Sequence, residues 1–449
     1  MITIYDDLAQ GACILKRRSM LTVEDVPEVV LASIERVFGD RLTPEDAVAR
    51  LLSEARSRGD DALREWTQRI DGVALDALEV PRAMWEAAYQ GLALELQAAL
   101  QRSTERIRDF HARQPVPNWT TAEMGGMLGQ RLVPLERVGL YVPGGTAPLP
   151  SSLLMGAVPA QAAGVGEIIV CTPADRETGE ASPLILAAAY VAGVDRVFTL
   201  GGALAVAALA FGTESVPRVD KVVGAGGLFT TVAKRQVYGI VGLDGLYGPT
   251  ETVVVADDTA NPAWVAADLL AQAEHDVLAT AILLTPSRAL AEVVQAEIVR
   301  QMTSLSRADV IATSLAGQGG IVVTPDLAAA VRAADDFAPE HLCLSVADPM
   351  AWAEKIDNAG GVFLGEHSCE VLGDYVAGPS HIMPTGGTAR FKGPVNVLDF
   401  IKVVNLIGLD AETARALAVD ADLLATAESL TAHAQAARFR ATGDTQPRE

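Results

Sequence analysis

Short apolar runs that end in glycine or proline alternate with helical patterns along most of this chain, from Val138 onward. The runs read VGLYVPGG, EIIVCTP, RVFTLGG and KVVGAGG, followed by ETVVVADD, AILLTP, IVVTP, LCLSVAD and GVFLGE. Helical segments separate them, among them one from Pro262 to Ala273. Repetition of strand, turn and helix predicts parallel, doubly wound sheets. Because the pattern restarts at ETVVVADD, we expect two such sheets with a ligand-binding cleft between them.

Helical patterns also occupy both ends of the chain. The segment VEDVPEVVLASIERVF and a segment from Thr43 to Leu63 each predict a helix, and a longer helix is expected from Arg82 to Arg113. After Arg390, a short strand precedes the helical segment ALAVDADLLATAESLTAHAQAARFR. The predicted fold class is therefore α/β, with two Rossmann-like doubly wound parallel-sheet domains, an N-terminal helical segment and a small C-terminal helical tail.

The predicted domain boundaries follow these changes of pattern. Residues 1–25 form an N-terminal arm, and residues 26–138 with 252–392 form the first Rossmann-like domain. The second Rossmann-like domain, residues 139–251, is inserted into the first. Residues 393–449 form the C-terminal tail.

The composition narrows the classes of function. The 449 residues carry a net charge of −22, which argues against nucleic acid or an anionic membrane as a partner. The four cysteines have no paired or CxxC spacing and the N-terminus has no signal-peptide pattern, so we expect a reduced, cytoplasmic protein. No apolar run reaches the roughly 18–20 residues of a membrane span, so we expect a soluble protein.

One polar segment, GEHSCEVLGDYVAGPSHIMPTGGTAR from Gly365 to Arg390, places ionisable side chains among glycines and prolines. This composition suits neither a long helix nor a central strand, and it predicts an ordered loop. Such loops often carry chemistry, although solvated surface loops of this kind are also common. Five of the six histidines lie beyond residue 270. This clustering indicates a metal or acid–base site assembled from several segments.

Two residue pairs are the strongest local candidates. Gln272 and His275 are three residues apart late in a predicted helix, so both side chains lie on one face and suit two ligands of one metal ion. The alternative is a helix-terminal histidine bonded to backbone. Glu340 and His341 precede a predicted strand at the edge of the cleft, where one can act as general base while the other activates water. The alternative there is a capping carboxylate beside a surface histidine.

Other candidates have simpler structural interpretations. His111 ends a predicted helix and complements its dipole, His433 is a lone histidine on the terminal helix, and Cys369 is an ordinary loop thiol. Several glycine-rich turns follow strands and precede helices, where phosphate can bind, but none has a full GxGxxG and tight turns are the simpler explanation. They are Gly144-Gly145, Gly201-Gly202 and Gly224-Ala225-Gly226-Gly227.

Taken together, these segments resemble the histidinol dehydrogenase family over nearly the whole chain from about residue 25. The motifs that carry the resemblance are GLYVPGG (139–145), LAFGTESVPRVDKVVG (209–224), GPTETVVVAD (248–257), DLLAQAEHD (268–276), APEHL (338–342), FLGEHS (363–368), GDYVAGPSHIMPTGGTAR (373–390) and AESLTAH (427–433). The resemblance implies a homodimeric zinc enzyme of histidine biosynthesis that oxidises L-histidinol to L-histidine through the aldehyde and consumes two NAD⁺.

The resemblance also implies roles for individual residues. Glu340 and His341 would be the catalytic acid–base pair, and Tyr141, Leu204 and Gly227 would lie at the NAD site in the inserted domain. The zinc ligands would be Gln272, His275, Asp374 and His433, the last reaching across from the partner subunit. Substrate contacts would fall on Thr250, Gln272, His275, His341, Asp374, His381, Glu428 and His433.

Several positions depart from the family's pattern. Leu204 stands where glutamine is usual, Gly227 where asparagine is usual, and Cys369 where proline is favoured, while Tyr247 adds bulk before the Thr250 hydroxyl. These changes keep two alternatives open. One is a paralogous zinc- and NAD-dependent dehydrogenase of another small polyol, such as a sulfopropanediol. The other is a non-catalytic, metal-stabilised binding protein, against which the intact Glu340–His341 pair argues.

Overall fold

The structure is a computed structural model that describes residues 2–16, 26–144 and 148–442. The strands are β1 (Ile4–Tyr5), β2 (Trp119–Thr121), β3 (Met127–Pro134), β4 (Arg137–Tyr141), β5 (Glu167–Thr172), β6 (Arg196–Thr199), β7 (Lys221–Val223), β8 (Gly242–Leu243), β9 (Glu251–Ala256), β10 (Thr280–Thr285), β11 (Gly320–Val323), β12 (His341–Ser345), β13 (Gly361–Leu364) and β14 (Ile401–Gly408).

The helices alternate with the strands through most of the chain. They are α1 (Ala12–Leu15), α2 (Glu28–Phe38), α3 (Pro44–Arg58), α4 (Asp60–Asp71), α5 (Arg82–Gln90), α6 (Leu94–His111), α7 (Pro150–Ala162), α8 (Pro183–Ala192), α9 (Gly202–Phe211), α10 (Leu228–Val237), α11 (Pro262–Ala273), α12 (Arg288–Met302), α13 (Ala308–Gly317), α14 (Leu327–Phe337), α15 (Pro349–Ala353), α16 (Glu370–Tyr375), α17 (Ala411–Ala427) and α18 (Thr431–Thr442). None of these helices, within the described ranges, has the length and apolarity needed to cross a membrane.

A six-stranded parallel sheet has the order β1-β11-β10-β9-β12-β13. Its central strands are mostly apolar because helices cover both faces. On β9, Val254 belongs to one hydrophobic core, whereas Val253 and Val255 belong to a second core on the opposite face. Alternate residues of a strand point to opposite faces, so one run of valines contributes to two helix layers. The predicted α/β class with doubly wound parallel sheets is confirmed.

A second parallel sheet of five strands has the order β6-β5-β4-β7-β8. Helices α3 and α4 pack on it, since Leu51 and Trp66 share a hydrophobic core with Leu204 of α9 and Phe198 of β6. The sequence analysis assigned residues 26–138 to the domain of the six-stranded sheet. In the structure, α3 and α4 from this range pack on the five-stranded sheet instead. Strand β1, from the predicted arm, belongs to the six-stranded sheet, while residues 17–25 of that arm lie outside the described residues.

The chain divides into two compact units. The larger one, Met1–Gln114 with Leu135–Phe400, contains both parallel sheets. The smaller one, Pro115–Pro134 with Ile401–Glu449, contains the antiparallel sheet β14-β3-β2 and the helical hairpin of α17 and α18. The sequence did not predict this antiparallel sheet, whose register pairs Val403 with Leu132.

Three long predicted helices are each broken in two. The helix expected from Arg82 to Arg113 ends at Gln90 and restarts at Leu94, because Gly91 caps the first part. Gly59, with a φ of 57°, separates α3 from α4. Ser429, with a φ of 61°, turns the chain between α17 and α18. The segment from Gly365 to Arg390 holds only the short α16 and one 3₁₀ turn, in agreement with the predicted loop.

Gly224, directly after β7, has a backbone that other residues rarely adopt. Its φ is 119°, and a Cβ there would lie 2.2 Å from the carbonyl oxygen of Tyr141. We expect Gly224→Ala to lower the free energy of unfolding by about 1–3 kcal/mol. Gly227 is the matched control, because its φ is −69° and a Cβ there would meet no atom within 4 Å. Urea unfolding of the two variants tests this, and equal midpoints would contradict it.

Candidate active site

A cavity of about 180 Å³ lies between the two parallel sheets. The six-stranded sheet contributes Thr250, His275 and His341, which precede or begin β9, β10 and β12. The five-stranded sheet contributes Pro143 and Ala225, which follow β4 and β7. The site therefore uses the amino ends of strands in one sheet and the carboxyl ends in the other. The general rule that ligands bind at carboxyl ends holds only for the five-stranded sheet.

His341 is buried as the first residue of β12, with 4% of its surface exposed. Its Nδ1 donates to the carbonyl oxygen of Glu251 over 3.3 Å. Its Nε2 lies 3.6 Å from Asp374 Oδ1, which is longer than a direct hydrogen bond. Burial opposes protonation of His341, but the carboxylates of Glu340, Asp374 and Glu370 outweigh it and raise the pKa to about 10.

Glu340 is held by β9 rather than by its neighbour in sequence. The Thr250 hydroxyl donates to Glu340 Oε2 over 2.5 Å, and the Glu251 N–H donates to the same oxygen over 3.1 Å. That oxygen lies 3.8 Å from His341 Nδ1. Burial raises the pKa of Glu340, and the charge of His341 together with the two hydrogen bonds only partly offsets it. The parallel pairing of β9 with β12 thus fixes both members of the predicted acid–base pair.

His381 and Asp374 form a further wall of the cavity. Nδ1 of His381 donates to the carbonyl oxygen of Asp374 over 2.7 Å, and its Nε2 lies 3.1 Å from the Ser152 hydroxyl. Burial lowers the pKa of His381, so the neutral ring accepts a hydrogen bond from Ser152. Burial alone would raise the pKa of the Asp374 carboxyl, but the nearby His341 lowers it below its usual value.

Glu370 is a buried carboxylate behind the site that the sequence analysis did not single out. It begins α16, is 1% exposed, and accepts a hydrogen bond from the Thr252 hydroxyl. Burial raises its pKa to about 8. The signal in the sequence was its spacing of four from Asp374, which places two acids on one face of a helix. The spacing is a weak signal because α16 has only six residues inside the predicted loop.

Of two predicted metal ligands, Gln272 lies in the last turn of α11 and His275 lies two residues after the helix ends at Ala273. The N–H of His275 donates to the Gln272 carbonyl oxygen over 3.2 Å, and His275 lines the cavity with Asp374. Gln272 is buried, and its Nε2 has no hydrogen-bond partner among the described residues. An amide assignment can be reversed, so this group can equally present its oxygen to a cation.

The predicted ligands can form a metal site only if the side-chain amide of Gln272 is one of the ligands. Within the described ranges, His, Cys, Asp and Glu side chains alone form no cluster of three that could hold a metal. Adding the unpartnered amide of Gln272 to His275 and Asp374 gives a mixed nitrogen and oxygen donor set of the type that zinc accepts. The remaining predicted residues, His433 of α18 and Glu428 after α17, lie in the smaller unit with exposed side chains.

A second cavity of about 790 Å³ lies at the carboxyl ends of β4, β5 and β6. Tyr141 and Leu204 of the predicted cofactor set line it, and its volume is within the range of cofactor pockets. Gly227 caps α10 and does not line this cavity, although Phe229 does. Pro143 lines both cavities, so they meet at the turn after β4. Gly145 in the same turn lies outside the described residues.

Tyr247 and Leu204, two residues that differ from the family's usual pattern, each line a cavity. Tyr247 lines the smaller one, and the Lys234 Nζ lies 4.9 Å from the centre of its ring. Leu204 lines the larger one. Cys369 is the residue before α16, and its thiol does not line either cavity. Pro143 and Ser152 have no local signal in the sequence, because they belong to the site only through contacts with distant segments.

This chain is similar to known proteins in both sequence and fold. The family model for histidinol dehydrogenase matches residues 38–441. Histidinol dehydrogenases of Deinococcus radiodurans and Thermus thermophilus are each 51% identical to it, over 92% and 89% of this chain and 95% of each relative. A crystal structure of histidinol dehydrogenase from Elizabethkingia anophelis has a TM-score of 0.89, is 31% identical and covers 98% of both chains.

Proposed function

This chain belongs to the histidinol dehydrogenase family, and from that membership we propose that it oxidises L-histidinol to L-histidine through L-histidinal, with two NAD⁺ reduced. The observation that carries the proposal is that the Glu340–His341 cavity and the nucleotide-sized cavity share Pro143 in their walls. A substrate in the first and a nicotinamide in the second are then neighbours, as hydride transfer requires. The role in histidine biosynthesis and a cytoplasmic location belong to the same proposal.

In this proposal, His341 and Glu340 move the protons. The Glu251 carbonyl holds Nδ1 of His341, which leaves Nε2 to take the hydroxyl proton of the alcohol. Both donors that reach Glu340 among the described residues bind Oε2, so Oε1 takes the proton from the water that hydrates the aldehyde. Thr250 orients this carboxylate and contributes to substrate binding. His381, fixed by Ser152, shapes the wall against which the substrate lies.

We propose that Gln272, His275 and Asp374 hold a Zn²⁺ ion, with His433 of the partner subunit as the fourth ligand. The support is that Gln272 has a buried, unpartnered amide three residues before His275, and that His275 and Asp374 line one cavity. When bound, Zn²⁺ polarises the substrate and offsets the carboxylate charge that raises the pKa of His341. Tyr141 and Leu204, which line the larger cavity, are proposed to lie beside NAD⁺, which accepts the hydride.

A homodimer with exchanged C-terminal tails completes the proposal. In the smaller unit, apolar side chains lie exposed where a second copy would cover them. They are Leu417, Val419, Leu423, Leu424 and Leu430. Glu428 and His433 lie on the same helical hairpin, so a tail that docks on a second copy carries a substrate contact and a metal ligand with it.

Counting the products tests the proposed function. Protein loaded with Zn²⁺ is incubated with L-histidinol and excess NAD⁺, and NADH and histidine are quantified together. We expect two NADH per histidine, and loss of both products after the metal is removed by a chelator. Turnover of other small polyols but not of L-histidinol would favour the paralogous dehydrogenase. No turnover of any alcohol would favour a binding protein instead.

A further inference from the structure

Asp71, which no part of the proposed chemistry uses, faces the larger cavity. It is the last residue of α4, where the helix dipole disfavours a negative charge. Its side chain is 20% exposed, and it has no hydrogen bond within the described residues. Burial raises the pKa of this carboxyl, although the charge of Arg176 partly opposes the shift. A carboxylate kept in this position weakens the isolated protein, so a ligand is the simplest explanation for it.

Two aspartates that line this cavity, Asp71 and Asp175, differ in the number of hydrogen bonds that they accept within the protein. Asp175 also lines the cavity, but its Oδ1 accepts the N–H groups of Glu177 and Thr178, each over 3.0 Å. Asp71 accepts none. Its nearest cation is Arg176, whose Nη2 lies 3.8 Å from Oδ1 and whose side chain is 73% exposed. Asp71 therefore has its full acceptor capacity available to a ligand in the cavity.

The position of Asp71 over the five-stranded sheet indicates which part of a dinucleotide it meets. A Cβ on Gly201, in the turn after β6, would lie 3.6 Å from Asp71 Oδ2, and Arg176 lies beyond the end of β5. The sheet order makes β4 the first, β5 the second and β6 the third strand of a mononucleotide-binding half. In such a half, an acid near the end of the second strand binds the hydroxyls of the adenosine ribose. Here a helix outside the sheet supplies that acid.

We propose that Asp71 accepts hydrogen bonds from the 2′- and 3′-hydroxyls of the adenosine ribose of NAD⁺ and so selects NAD⁺ over NADP⁺. This inference rests on the proposed function. The carboxylate pairs with a diol, whereas a 2′-phosphate would bring two negative groups together and remove one donor. Arg176 is too exposed to compensate, because an exposed cation pairs weakly with a phosphate in water.

Direct binding measurements on the full-length protein test the inference without turnover. Calorimetric titrations with NAD⁺, NADP⁺ and 2′-deoxyadenosine NAD⁺ are compared for wild type, Asp71→Asn and Asp71→Ala. For wild type we expect NAD⁺ to bind at least about tenfold more tightly than either analogue. Both variants should bind NAD⁺ about 10- to 100-fold more weakly, as expected for a lost hydrogen bond to a charged group, and should no longer distinguish it from NADP⁺. Asp61→Asn is the control, because this residue lies on the same helix with an 86% exposed side chain.

The outcomes separate this inference from the proposed function. If wild type binds NAD⁺ and the Asp71 variants keep its preference over NADP⁺, the role of Asp71 is wrong and the dehydrogenase remains. If wild type binds neither nucleotide, the NAD-dependent function and the role of Asp71 fail together. Thermal unfolding without nucleotide identifies a folding defect, and we expect no loss of stability because the variants remove a charge from the unfavourable end of α4. If Asp71→Asn nevertheless unfolds early, Asp71→Ala carries the same comparison.

Discussion

Replacement of His341 by alanine is expected to lower kcat for L-histidinol oxidation by about 10²–10⁴-fold, the usual contribution of a positioned acid–base group. The imidazole is buried, its Nδ1 is held by the Glu251 carbonyl, and its Nε2 points towards Asp374 in the cavity. Of the other imidazoles that line this cavity, His381 is occupied by Ser152 and the Asp374 backbone, and His275 is a proposed metal ligand. Steady-state rates at saturating L-histidinol and NAD⁺ measure the effect.

A control for this variant lies in the same polar segment. His367 packs edge-on against the ring of Trp264 with the ring centres 5.5 Å apart, and it lines neither cavity. We expect His367→Ala to change kcat by less than about twofold, because surface substitutions away from the site have small effects. If His341→Ala retained full turnover, His341 would have no part in proton transfer and the mechanism proposed above would be wrong.

Glu340→Gln separates the two oxidation steps. The amide keeps the hydrogen-bonding shape that Thr250 and the Glu251 N–H recognise, but it cannot take a proton from water. With this variant we expect oxidation of L-histidinal to slow more than oxidation of L-histidinol, so NADH per histidine measured early in the reaction should rise above two. An equal loss in both steps would assign Glu340 a role in positioning rather than in hydration of the aldehyde.

The parallel sheets were predictable because strands that are buried on both faces appear in the sequence as short runs of apolar residues. Every residue from Thr252 to Ala256 is buried on β9, so the strand reads as a continuous apolar run bounded by polar residues. The helix expected from Pro262 to Ala273 also has the observed limits, since Asn261 caps it and proline begins it. The breaks at Gly91 and Ser429 were not predictable in this way, because the apolar spacing continues through both. The pairing of Val403 with Leu132 joins segments about 270 residues apart and has no local signal.

In the candidate site, too, features with a local signal in the sequence were predictable and features that depend on distant segments were not. Adjacency in the chain predicted the pair Glu340 and His341, and a spacing of three residues predicted the pair Gln272 and His275. The sequence could not show that β9 supplies the groups that orient the first pair, since that follows from the register of His341 beside Thr252. It also could not show that Pro143 joins two cavities, or that the six-stranded sheet offers the amino ends of its strands. These features arise from the packing of two sheets, each of which obeys its own local pattern.

Lys234→Met is expected to lower the free energy of unfolding by about 3–5 kcal/mol, the usual cost of removing one partner of a buried ion pair. Lys234 Nζ lies 2.6 Å from Asp244 Oδ1, with side-chain exposures of 2% and 0%. The lysine also donates to the Gly224 carbonyl oxygen over 2.8 Å, and Asp244 Oδ2 accepts the Gly224 N–H over 2.7 Å. Without Lys234, Asp244 becomes a buried carboxylate without its cation, and the turn that Gly224 begins loses one of two anchors.

Arg235, the next residue, provides a matched control for this effect. It also pairs with an acid, with its Nη2 2.9 Å from Glu45 Oε1, but its side chain is 55% exposed. Arg235→Gln should therefore cost about 1 kcal/mol or less, because water screens the pair before and after the change. Chemical unfolding of both variants measures the difference, and similar midpoints would show that the buried pair contributes no more to stability than the exposed one. Because the Lys234 Nζ also lies over Tyr247 in the cavity wall, Lys234→Met should raise KM for L-histidinol, whereas Arg235→Gln should leave it unchanged.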